Sequence, residues 1–145
     1  PTAQDVDTAL QVNTKASPGA VAFLDPDGGG IRSSRGATGQ AIAVAARTGH
    51  GLVTPGGGFN SFLRDADAAG VPALTIQREL DPTLSNRDAI ARVLDQAALR
   101  ARTEGRLVIT GRASDAQIAG ILAWALENRG GRVVLAPLSA VLQPD

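Results

Sequence analysis

Ala73-Leu74-Thr75-Ile76-Gln77, then Asn86-Arg87-Asp88-Ala89-Ile90-Ala91-Arg92-Val93-Leu94-Asp95-Gln96-Ala97-Ala98-Leu99-Arg100-Ala101, then Leu107-Val108-Ile109-Thr110 reads as strand, helix, strand. The outer runs are apolar without alternation, the mark of strands covered on both faces. The middle run places Ile90, Val93, Leu94, Ala97, Ala98 and Ala101 at spacings of three and four. Arg87, Arg92, Gln96 and Arg100 lie opposite, and Gly105 is the stop. A helix between two buried strands is the crossover that joins parallel neighbours, so the chain is read as α/β with a mostly parallel sheet.

The same alternation extends in both directions. Apolar runs at residues 20–24, 51–54 and 133–136 predict three more strands. Residues 35–48 predict a helix with Ile42, Ala45 and Ala46 on one face and Gly49 as its left-handed terminator, and residues 61–69 a shorter one closed by Gly70. Ser114-Asp115-Ala116-Gln117 reads as a capping box opening a helix that carries Ile118, Ile121, Leu122, Ala125 and Leu126 and stops at Gly130-Gly131. Trp124, the sole tryptophan, is read there as a packing residue partly exposed. Residues 5–16, with Val6, Ala9, Leu10 and Asn13 on one side, form a lead-in helix or linker, so that residues 1–17 precede the main α/β part at residues 18–145.

Composition narrows the functional classes. The 145 residues are 43% hydrophobic, enough for an ordinary core without staples. Fourteen basic and fourteen acidic side chains cancel, which removes the electrostatic case for nucleic acid or an anionic membrane as partner. The absence of cysteine excludes disulfides and thiolate zinc sites. No apolar run reaches the ~20 residues needed to span a bilayer. A start at Pro1 and the lack of any Met fit a start methionine trimmed before Pro and equally a fragment of a longer chain, of which the fragment is the expectation.

On parallel α/β sheets, chemistry collects on the loops leaving the C-terminal strand ends. Those loops offer Asp25, Asp27, Asn60, Arg78, Glu79, Asp81, Arg112 and Ser139 as candidate rim residues for a sugar or an anion. Asp25 and Asp27 could be oxygen ligands for a hard cation, but an Asp-Pro-Asp-Gly turn explains them without further ligands. Gly56-Gly57-Gly58 ahead of Asn60 lacks the Gly-Lys-Ser/Thr of a phosphate loop. Arg112 fits a bidentate clamp on a carboxylate or phosphate and fits equally a pairing with a nearby acid. His50, the only histidine, precedes a strand at the end opposite this rim, where a structural role is expected. Ser34, Ser61, Ser114 and Ser139 have no Gly-x-Ser-x-Gly setting and no base.

The run from Asp81 to Leu142 resembles the C-terminal part of the divergent polysaccharide deacetylase family. Ala89-Ile90, Leu94, Gly105, Gly111, Trp124-Ala125-Leu126, Gly131 and Val134-Leu135-Ala136-Pro137-Leu138-Ser139-Ala140 carry the likeness. Upstream, Gly49-His50-Gly51-Leu52, Asn60 and Gly70-Val71-Pro72 extend it, so that it covers residues 18–142. The resemblance implies part of a distorted (β/α) barrel, an exported protein of the periplasm or cell envelope, and a carbohydrate deacetylase activity. It also implies that the barrel's first half, with its acidic pair, lies outside this chain or in a protein partner.

Against the family's metal site of an Asp and two His, this chain reads Gly111-Arg112-Ala113 where Gly-His-Pro is frequent, and Asp25-Pro26-Asp27 where an Asn and a His are frequent. Asp81 matches the family's acidic residue after the third such strand. A zinc site needs three protein ligands and an open position, so no metal or other cofactor is expected in this chain unless a missing half supplies ligands. The expectation is a scaffold that has lost its catalysis and acts on glycan or peptidoglycan by binding, or through protein contacts. An active metal-dependent deacetylase completed by further residues, or an accessory subunit of an envelope complex, are the alternatives.

Overall fold

A computed structural model describes residues 2–26, 30–32, 34–56, 61–127 and 129–143. They form two compact units: Pro1–Thr75 with Leu138–Asp145, and Ile76–Pro137. The first holds α1 (Ala3–Ala16), β1 (Ala22–Leu24), α2 (Arg35–Thr48), β2 (Gly51–Pro55), α3 (Ser61–Ala68), most of β3 (Ala73–Ile76) and, from the end of the chain, α6 (Leu138–Val141). The second holds β4 (Arg78–Glu79), α4 (Arg87–Glu104), β5 (Ile109–Thr110) and α5 (Asp115–Leu126).

In the first unit the sheet order is β1-β2-β3, and β1 runs parallel to β2 with Ala22 opposite Gly51 and Leu24 opposite Val53. α2 makes the crossover between them, which a parallel pair requires. Ser34 caps it by accepting the Ala37 N–H at 3.1 Å, and Gly49 ends it at φ 76°, a left-handed conformation costly for any residue with a Cβ. Ala37, Ala41, Ile42, Val44 and Ala45 face Val6 and Leu10 of α1 and Phe23 and Leu52 of the sheet, closing one apolar core. α1 begins two residues earlier than the sequence pattern indicated because Thr2 and Asp5 exchange hydrogen bonds in a capping box.

The second unit is built on a two-stranded parallel sheet, Arg78 opposite Ile109 and Glu79 opposite Thr110. Its core is Ile90, Ala91, Leu94 and Ala98 of α4 against Trp124 of α5. Gly120 lets the two helices close: a Cβ there would lie 2.8 Å from Ile90 Cδ1. The described strands thus form two open sheets.

Four expectations are corrected. Residues 133–136 are not a strand: the Val133 N–H turns back to the Gly130 carbonyl at 3.1 Å, and Val134 is 78% exposed. The run has strand composition but no ladder partner among the described residues, and composition alone cannot satisfy its backbone groups. Leu138–Val141 is a short helix instead of loop, and Arg78–Glu79 a further strand. In α5, whose inward face the sequence left open, packing selects one side. Gln117, Gly120 and Trp124 face inward, while Ile118, Leu122 and Leu126 are 45%, 57% and 86% exposed. Trp124, only 4% exposed, is a core residue and not a partly exposed one.

Candidate functional site

Asp25 leaves β1 with its N–H on the Val53 carbonyl, one step beyond the β1–β2 ladder. Its side chain is buried and turned onto its own loop: Oδ1 accepts the Gly30 and Ile31 amides at 3.0 and 3.2 Å, and Oδ2 the Arg32 amide at 3.3 Å. The Arg32 Nε stands 3.7 Å from Oδ2, and Thr38 Oγ1 holds the Ile31 carbonyl at 2.9 Å. The Asp-Pro-Asp-Gly turn reading runs into residues 27 and 28, which lie outside the described residues; what is described is a carboxylate turned onto the amides of Gly30, Ile31 and Arg32. A carboxylate filled by three amides has little left for a cation. Replacing it with Asn keeps the shape but weakens charge-assisted bonds. Asp25→Asn is therefore expected to lower the stability of the first unit by about 1–2 kcal/mol, read as a shift of the urea midpoint at unchanged slope. An unshifted midpoint would show that the carboxylate contributes nothing there.

Asp27 and Asn60 lie outside the described residues. Thr54, beside Asp25 at the end of β2, is 1% exposed, and its hydroxyl has no hydrogen-bond partner among the described residues. His50 stands at the other end of β2, its ring stacked on Phe23 with centroids 4.6 Å apart and Nδ1 2.8 Å from Thr48 Oγ1. It is buried in packing at the helix-to-strand junction.

The second unit has the better-organised rim. Arg78 and Glu79 are the exposed residues of β4. Asp81 follows, its Oδ1 accepting the Thr83 N–H at 2.7 Å and hydroxyl at 2.6 Å. The Thr83 hydroxyl, then its backbone N–H, hold the Asp81 carboxyl below the usual carboxylate range, so it is ionised near neutrality. Arg112 leaves β5, exposed, with no ion pair to it among the described residues.

Gln117 connects these two loops. It is fully buried, its Oε1 accepts the Arg112 N–H at 2.8 Å, and its Nε2 donates to the Asp81 and Leu84 carbonyls at 2.8 and 3.2 Å. Ser114 caps α5 by accepting the Gln117 N–H at 3.3 Å, but the Gln117 side chain leaves the expected capping box to lock the rim. Gly111 makes room for it, since a Cβ there would come 2.8 Å from Oε1. A glycine directly after a strand was the one trace of this arrangement in the sequence. Ser139 lies exposed in α6 of the first unit, not on a loop leaving a strand.

A third polar cluster was not anticipated. Asp95 on α4 accepts Trp124 Nε1 at 2.8 Å and the Arg129 guanidinium at 2.6 Å. Arg129, then Trp124, hold its carboxyl below the ordinary range, and Asp95 holds Arg129 above its own. A depressed native value stabilises the fold above the unfolded carboxylate value of about 3.9 and loses that contribution as pH falls through the native value. The pair is over a third exposed, so solvent screens much of the effect. The stability difference between the wild type and Asp95→Asn is expected to be present at pH 6 and to shrink progressively as pH falls below about 4, through the depressed native value, measured by urea unfolding across that range. A difference independent of pH would contradict the assignment.

The family model of the divergent polysaccharide deacetylases matches residues 1–142, and the chain belongs to that family. The search of the curated proteins gave no match. Against the metal that the family's chemistry implies, the described residues do not fit: no three of His, Cys, Asp and Glu converge among them. The Asp25 carboxylate is committed to amides, and Arg112 places a cation at its strand end. No described helix is long and apolar enough to cross a membrane.

Proposed function

We propose that this chain is a catalytically degenerate member of the family that binds glycan, with peptidoglycan the favoured ligand, at the rim carrying Asp81 and Arg112, and that it works in the periplasm or cell envelope. The observation that supports this most is the Gln117 lock. Three hydrogen bonds from one buried amide fix the two strand-exit loops, presenting an anionic acceptor and a guanidinium donor set from rigid backbone. Sugar hydroxyls need such mixed donors and acceptors, and pre-set loops lower the entropy lost on binding. The residues at hand leave metal-assisted hydrolysis to a chain or segment that would bring further ligands. The test is calorimetric titration with acetylated chito-oligosaccharides and peptidoglycan fragments, with acetate assayed in the presence of zinc. Binding without acetate is expected, and released acetate would refute the inactive reading.

A second reading, an accessory subunit or a domain completed by another β/α segment, is favoured by one observation. α5 carries no charged side chain between Asp115 and Glu127, and its outer face is aliphatic. A stable stoichiometric complex from native extracts, together with no sugar affinity, would favour this reading over the first.

A further inference from the structure

We infer that the groove between α4 and the turn after α5 is a second binding site, distinct from the rim, that takes the free C-terminus of a peptide ending in an aliphatic residue. The groove has a volume of about 390 Å³ and is lined by Asp95, Ala98, Leu99, Arg102, Arg129 and Gly130. That is within the size range of small-ligand sites, about 300–1,000 Å³, and exceeds what a lone small acid fills.

Its charges are unbalanced. Asp95 is taken up by Arg129 and Trp124, which leaves Arg102 as the surplus cation. Arg102 has no ion pair among the described residues, only a 3.4 Å bond from Nη2 to the Gly130 carbonyl. The turn is shaped around it: Gly131 has φ 61°, and a Cβ there would lie 2.6 Å from Arg102 Nη2. The single bond to the Gly130 carbonyl leaves most of the five guanidinium N–H donors at the groove unused.

Beside it, Leu99 is 65% exposed over buried Ala98, an aliphatic wall one residue wide. A guanidinium without an ion pair among the described residues, next to an exposed aliphatic side chain, is complementary to a carboxylate carried beside an aliphatic side chain, which is the chemistry of a peptide's last residue. A neutral terminus would leave the guanidinium with single, weaker bonds.

The probe is the tripeptide Ala-Ala-Leu, titrated into the full chain as the free acid and as the C-terminal amide, with hexanoate as a small-acid comparison. The acid is expected to bind at least tenfold more tightly than the amide and than hexanoate. Arg102→Gln should abolish the preference for the acid, while Arg92→Gln, on the same helix but outside the groove, should leave it unchanged. Arg102 is exposed, so a melting curve matching the wild type is expected and separates binding from folding. Equal binding of acid and amide, no binding of either, hexanoate binding as well as the peptide, or an Arg102→Gln variant that keeps the preference would each overturn the inference. Sugar binding at the rim is unaffected by any of these outcomes.

Discussion

Trp124→Ala is expected to destabilise the second unit by about 3–5 kcal/mol, the range for emptying a large buried aromatic site. The indole is 4% exposed and fills the space between Ile90, Leu94 and Ala98 on one side and the Gly130 turn on the other. Nothing nearby can collapse into the void cheaply, because α4 and α5 are already in contact at Gly120. The substitution also takes from Asp95 the indole donor at 2.8 Å and leaves its carboxylate to Arg129 alone. Trp124→Phe separates the two losses by keeping most of the volume without the N–H, and should cost only about 1–2 kcal/mol. Urea unfolding followed by far-ultraviolet circular dichroism, with amide exchange in α4 to localise the effect, reads both. A Trp124→Ala protein as stable as the wild type would mean that this core does not exist as described.

Gln117→Met is the second substitution with a large effect, about 2–4 kcal/mol, although it nearly preserves volume. The thioether cannot replace the acceptor for the Arg112 N–H or the donors to the Asp81 and Leu84 carbonyls, and unpaired backbone groups in a closed site cost about 1–3 kcal/mol each, partly relieved by water. Glycan affinity should fall at least tenfold, more than Arg112→Gln alone produces, because both loops lose their anchor. Gly111→Ala should mimic it in part by pushing Oε1 aside. If Gln117→Met kept full stability and full sugar affinity, both the lock and the rim assignment would be wrong.

Strands at Ala22–Leu24, Gly51–Pro55 and Ala73–Ile76 and the long helices were legible in the sequence because burial on both faces and three-four spacing are local signals. Gly49 and Gly70 were legible as terminators because left-handed geometry selects for them, and φ is 76° and 68°. The orientation of α5 was not legible: a helix apolar on both faces gives no preferred stripe, and only the partner selects one. Nor was the fate of residues 133–136, since whether an apolar run becomes a strand depends on a neighbour far away in sequence. Within the site, Asp81 and Arg112 could be placed at strand exits from pattern alone. Gln117 could not, because the same Ser-x-x-Gln spacing serves a capping box or, as here, frees the amide for a tertiary task.

The loop after β1 also limits how this scaffold could be altered. Grafting an imidazole at Asp25 to create a zinc ligand would remove the acceptor that three consecutive amides share, so the segment leading into α2 would loosen before any ion could be gripped. A chemist seeking hydrolysis here would have to rebuild the loop around the new ligand rather than exchange a single side chain.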